Sequence, residues 1–191
     1  MQTVKGGEPP PFNCMNPSFA QSHFELFGIA PSYRVEVAAL ERAYREIQAR
    51  IHPDRHVRAG EAEKRASLQW TTRVNEAYTT LQDPVRRAAY LLGLNGVDCA
   101  FESNTEMPVD FLTRQMELRE SLDAARAAGD AALLDRMRAG LRRDMQALES
   151  AIERAIDGER DFAGAAGLAR KLRFLDRLDE EIGAAFEAIE G

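Results

Sequence analysis

At 191 residues, 45% apolar and 29% charged, the chain is long enough to bury a core in one large or two small domains, and its composition is globular rather than fibrous. No apolar run approaches the roughly 20 residues that span a bilayer, and the N-terminus has neither a signal-peptide core nor an Arg-rich transit signature, so no membrane partner and a cytoplasmic location are expected. Charge divides unevenly: residues 1–97 carry 12 Lys/Arg against 10 Asp/Glu and residues 98–191 carry 13 against 21, which argues against nucleic acid as the second half's ligand, because duplex binding relies on cations meeting phosphates.

Residues 1–18, "MQTVKGGEPPPFNCMNPS", are Pro-, Gly- and polar-rich without periodicity and are expected to be a disordered leader, with Met15 a candidate natural start. Phe24, Leu26 and Phe27 then predict a short helix stopped by Gly28 and Pro31. In "VEVAALERAYREIQARI" the apolar positions Leu40, Ala43, Tyr44, Ile47 and Ile51 recur at three- and four-residue steps, the pattern of a helix with one buried face, and Arg42 and Arg45 fall opposite. A further helix over about 61–81 places Trp70, Val74, Ala77, Tyr78 and Leu81 on one side and ends at "QDP". Two antiparallel helices joined by a loop follow. The isolated Cys14 and Cys99 suit neither a disulfide scaffold nor a zinc ribbon, so free thiols are expected.

The joining loop begins His52-Pro53-Asp54. One reading is local: Pro53 ends the helix and Asp54 caps the next turn. Another is a metal-dependent enzyme centred on His52 and His56 with Asp54. Pro53 forbids a regular helix through that segment, so the spacing does not place both imidazoles on one helical face, and no fourth ligand or general base lies near in sequence. No metal site is assigned. His23 reads as a polar member of the first short helix.

After "YLLGLNGVD" the pattern is interrupted over 98–107, a linker, and three amphipathic helices follow. They run over about 109–127, from Leu134 through Met137, Leu141, Met145, Leu148, Ile152 and Ile156 to Gly158, and over 162–189 with Leu168, Leu172, Leu175, Ile182 and Phe186 on one stripe. Short connections imply an antiparallel three-helix bundle. On the first of these helices Phe111, Leu118 and Leu122 share a face, whereas Leu112 and Met116 point elsewhere, beside Thr113, Glu117 and Glu120. That leaves a small apolar patch with an acidic rim facing away from the core.

"AYREIQARIHPDRH" followed by "VNEAYTTLQDPVRRAAYLL" resembles the J-domain of co-chaperones that stimulate a DnaK-type heat-shock ATPase. "RRAAYLLGLNG", "FLTRQMELRESLD" and "RKLRFLDRL" are similar to the HscB-type J-proteins of iron-sulfur cluster assembly, and the resemblance covers roughly residues 20–189. It implies an all-α protein: a J-domain over 19–97 with a helical hairpin and its His-Pro-Asp loop, a linker over 98–107, and a scaffold-binding bundle over 108–191. It implies two partners, a DnaK/HscA-type ATPase chaperone and an IscU-type iron-sulfur scaffold protein. The chaperone-binding residues it indicates are His52, Pro53 and Asp54, with basic positions Arg45, Arg50 and Arg55; Glu41 and Glu46 dilute the positive face and put more weight on the loop and on Arg45. For the scaffold it indicates Leu112, Thr113, Met116, Glu117, Glu120 and Phe174. This chain departs from the family pattern at Thr113, where a larger apolar residue is familiar, and at Ala124, where an acid is.

Such a loop works by shape and charge. Pro53 fixes one backbone angle and removes a donor, and Asp54 offers a carboxylate to an arginine-type group. The sequence holds no G-x-S-x-G, P-loop or paired-Cys motif, so no enzymatic activity and no cofactor are expected. The alternatives are a general J-protein for unfolded clients and the metal-dependent enzyme above.

Overall fold

The computed structural model describes residues 21–51, 61–101 and 107–190. The expected leader over 1–18, Cys14 and half of the expected linker, residues 102–106, lie outside them. Among the described residues the chain is all-α, without a strand, and no helix is long and apolar enough to cross a membrane. Two compact units divide the chain, residues 1–87 and 88–191.

In the first unit α1 (His23–Leu26) starts with a reciprocal cap: the Ser22 hydroxyl accepts from the Glu25 N–H at 3.2 Å, and the Glu25 carboxylate accepts from the Ser22 N–H at 2.7 Å. It stops at Gly28, whose φ of +65° suits a residue without a Cβ. α2 (Val37–Ile51) buries Leu40 and Ile47, and α3 (Glu61–Gln82) buries Val74, Ala77 and Leu81. The helices run antiparallel. Near one end the Ser67 hydroxyl donates to the Ile51 carbonyl at 2.7 Å. Seven residues back along α2, Tyr44 stacks on Tyr78 at 4.0 Å between ring centroids and donates its hydroxyl to Asn75 Oδ1 at 3.0 Å. The stripe expected from periodicity is the packed one: the β-branched and Leu positions seal the centre, while Tyr44 and Tyr78 keep their polar tips at its margin.

His23 is 8% exposed. Burial lowers its pKa below the ordinary 6.5, Arg73 lowers it further, and Glu76 acts against both. Because the folded-state value lies below the unfolded one, the unfolded chain takes up the proton first. The His23 contribution to stability is therefore complete above about pH 6.5 and is lost as pH falls through the folded value. The thermal midpoint should drop between pH 7.5 and 5.5, and drop less in His23→Gln. Equal drops would show that another group governs this window. Glu25, held below 4.5 first by the Ser22 backbone N–H and then by its hydroxyl, titrates at lower pH.

α4 (Pro84–Leu94) is a helix that periodicity did not separate. Pro84 closes α3 but also opens α4: the Asp83 carboxylate accepts from the Arg86 N–H at 2.7 Å, so Asp-Pro forms an N-cap and first helical residue, where a missing N–H costs nothing. The boundary between the units falls within this helix, after Arg87. Arg87 itself is 7% exposed, donates to the Leu81 carbonyl at 2.6 Å and lies over the Tyr33 ring.

In the second unit α5 (Val109–Ala128), α6 (Ala131–Glu153) and α7 (Phe162–Glu190) form an up-down-up bundle. Gly129, at φ +64°, ends α5, and the Asp130 carboxylate caps α6 by accepting from the Leu133 N–H at 2.9 Å. Leu122, Leu134, Leu141, Leu175, Leu178 and Ile182 make the core, with Leu118, Met137, Met145 and Leu148 packed around it. Arg138 holds Asp179 with two donors, at 3.0 and 3.3 Å, and locks α6 against α7.

The second helix of the bundle, expected to continue to Gly158, leaves α-geometry at Arg154 for a six-residue π-helical extension. The Asp161 N–H reaches back to the Ala155 carbonyl at 2.8 Å, and Arg160 takes a left-handed φ of 56°. The wider turn keeps Ala155 and Ile156 buried while the chain reverses, and the glycine at 158 weakens the competing α-helix.

Candidate partner-binding sites

The tripeptide His52-Pro53-Asp54, Arg55, and the alternative metal residue His56 lie outside the described residues. Described on either side are the end of α2, whose Ile51 carbonyl is held by Ser67, and the start of α3. Arg45 and Arg50 both stand exposed on α2. Arg45 is ion-paired with Glu41 one turn earlier, so Glu41 engages the guanidinium as well as diluting the face. A partner carboxylate would have to displace Glu41. The pair is exposed and therefore weak, so exchange is cheap. Among the described residues no group of three or more His, Cys, Asp or Glu is arranged to hold a metal ion.

The bundle face is described throughout. Leu112 is 40% exposed and Met116 65%. At about 100° per residue these positions turn away from Phe111, Leu118 and Leu122, and of that set Leu122 is the fully buried member, at 1%. Thr113 satisfies its hydroxyl within the helix by donating to the Val109 carbonyl at 3.0 Å, leaving its methyl group as the apolar part of the surface. Glu117 and Glu120 are exposed.

Phe174 is half-buried on α7. Its ring meets Phe111 edge-on at 5.9 Å, and the Arg119 guanidinium covers it at 5.5 Å. Leu112 and Phe174 line one groove of about 230 Å³, together with Arg119, Arg170, Arg173 and Arg177. Thr113 and Glu117 instead line a neighbouring depression with Asp110 and Arg114, whose guanidinium is paired with Asp144 at 2.6 Å. Met116 is not among the groove's lining residues; it stands one turn after Leu112.

The rim is thus not acidic all round. It is acidic along one side of α5 and basic where α5 meets α7. Helical spacing carries part of this signal: Arg170, Arg173 and Arg177 recur at three- and four-residue steps around Phe174. Arg119 joins them only through the packing of α5 on α7.

Residues 22–90 match the DnaJ domain family, and residues 107–183 match the family described as HSCB C-terminal oligomerisation domain. The chain is 44% identical to a co-chaperone protein HscB homolog from Ralstonia nicotianae, over 91% of this chain and 98% of that protein. It is likewise 44% identical to one from Aromatoleum aromaticum, over 92% and 99%. Among solved structures, chaperone HscB from Vibrio cholerae superposes with a TM-score of 0.78 at 30% identity, covering 88% of this chain and 99% of that one. Human co-chaperone protein HscB superposes with a TM-score of 0.84 at 27% identity, covering 95% and 93%. With both domain families matched in order and relatives aligned along nearly their whole lengths, the chain belongs to the HscB family of J-domain co-chaperones.

Proposed function

We propose that the protein stimulates ATP hydrolysis by a DnaK/HscA-type chaperone and delivers an IscU-type iron-sulfur scaffold protein to it in the cytoplasm. The J-domain occupies residues 19–97 and meets the chaperone through His52, Pro53 and Asp54, flanked by Arg45, Arg50 and Arg55. A linker over 98–107 leads to the bundle, 108–191, which meets the scaffold through Leu112, Thr113, Met116, Glu117, Glu120 and Phe174.

The observation that carries this reading is the exposure of Leu112, which shares a groove with Phe174, and of Met116 one turn on, on a domain that HscB relatives share and that follows a DnaJ domain. An apolar patch rimmed by charge is the anatomy of a protein interface. No bond-making role is assigned to any residue. By holding both partners the protein raises the scaffold's effective concentration beside the chaperone when hydrolysis locks the client in.

The test is steady-state ATP hydrolysis by the chaperone with and without scaffold. Full-length protein and scaffold should stimulate synergistically. A fragment of residues 19–97, checked for helical content, should stimulate alone but show no synergy, since it keeps the loop and lacks the bundle. Equal synergy from the fragment would contradict the division of labour, and equal synergy from extended apolar peptides would favour a general J-protein.

A further inference from the structure

Residues 98–191 carry a net negative charge, yet four arginines, Arg119, Arg170, Arg173 and Arg177, line the groove beside Leu112 and Phe174, and among the described residues no carboxylate lines it. Two of them are committed within the second unit: Arg170 donates to the Cys99 carbonyl at 3.2 Å, and Arg173 pairs with Asp176 at 3.0 Å. The other two are available. Arg119 is exposed and covers the Phe174 ring, and Arg177 is exposed, with no ion-pair partner among the described residues.

The helical angles of α5 order these groups. Counting about 100° per residue from Leu112, Arg119 lies about 20° to one side, while Met116, Glu120, Thr113 and Glu117 follow at about 40°, 80°, 100° and 140° to the other. Leu112 and Met116 are the apolar seam between a basic flank and an acidic one. Phe101 and Met107 supply apolar wall, so a carboxylate entering the groove would meet guanidinium groups in a partly dehydrated setting, where such pairs are stronger than in open water.

We propose that this groove takes a side-chain carboxylate from an apolar, acidic segment of the docked scaffold protein, so that the two-sided rim fixes the direction in which the partner lies across Leu112 and Met116. The proposal rests on the scaffold-binding reading of this face and adds its polarity. An acidic segment laid in reverse would set its carboxylate against Glu117 and Glu120 and be rejected.

The experiment is calorimetric titration of the iron-sulfur scaffold protein into wild type, Arg119→Gln/Arg177→Gln, Arg177→Glu, Arg119→Lys and Met116→Ala, each at 0.05 and 0.5 M NaCl. Arg119→Gln/Arg177→Gln should weaken binding about five- to thirtyfold at low salt and much less at high salt, because partly exposed pairs are screened. Arg177→Glu should weaken it more, without touching the Phe174 ring, and Arg119→Lys should retain most of the affinity. Wild-type affinity and salt dependence in the arginine variants, with Met116→Ala weakened, would overturn the proposal and leave the scaffold site standing. Unchanged binding in all variants would remove the scaffold site as well. Glu102 and Glu106 neighbour Phe101 and Met107 in sequence, so Glu102→Gln/Glu106→Gln is included: weaker binding by it would show that the partner brings cations to this end of the face and would overturn the proposal.

Discussion

Asp54→Asn is expected to abolish stimulation of the chaperone's ATPase while the protein stays folded. The substitution removes one charge and almost no volume, and changes at surface positions usually alter stability by no more than about 0.5 kcal/mol. A hydrogen bond to a charged group contributes about 1.5–3 kcal/mol, so losing one such contact lowers complex formation roughly ten- to hundredfold. Arg45→Ala should be milder, because its guanidinium is exposed and already shared with Glu41. Steady-state ATP hydrolysis, with circular dichroism and a thermal melt of each variant, decides it. Full stimulation by a folded Asp54→Asn protein would remove the His-Pro-Asp loop from the mechanism.

Helices whose apolar residues recur at three- and four-residue steps were legible because a buried stripe leaves its period in the sequence. Leu40 with Ile47, Val74 with Ala77 and Leu81, and Leu134 with Leu141 and Ile152 are all in the core. The exposure of Leu112 and Met116 follows from the same arithmetic. What period alone missed is punctuation and juxtaposition. Asp83-Pro84 marks both a stop and a start, and only the cap from Asp83 to Arg86 shows the start. The π-helical turn at 154–159 has no periodic signature, since it serves the reversal of the chain rather than a face. The arginine-lined groove needs α5 and α7 side by side: Arg119 is 51 residues from Arg170, and no local pattern joins them. Phe174 shows why family resemblance helped, since its period places it only at the margin of the buried stripe, where the structure lays it edge-on against Phe111.

Truncating the apolar anchors should have the second large effect. Met116→Ala, Phe174→Ala is expected to weaken scaffold binding by about 2–4 kcal/mol, roughly thirty- to a thousandfold, the range of central interface anchors. Met116, 65% exposed, can be shortened without opening a cavity, so its single variant should melt like wild type. Phe174 is different: its ring contacts Phe111, carries Arg119 and packs against the bundle core, so Phe174→Ala should also lower stability. Phe174→Leu separates the two effects by keeping most of the packed volume while removing the aromatic face. Leu118→Ala is the converse control. That side chain packs against the core on the other side of α5, so it should cost about 2 kcal/mol or more in stability with little change in affinity. Glu117→Gln and Glu120→Gln should act chiefly on association rate and its salt dependence, because exposed rim charges steer encounter more than they hold the complex. Wild-type affinity in a folded Met116→Ala, Phe174→Ala protein would mean that the scaffold docks elsewhere on the bundle, whatever the exposure of this face.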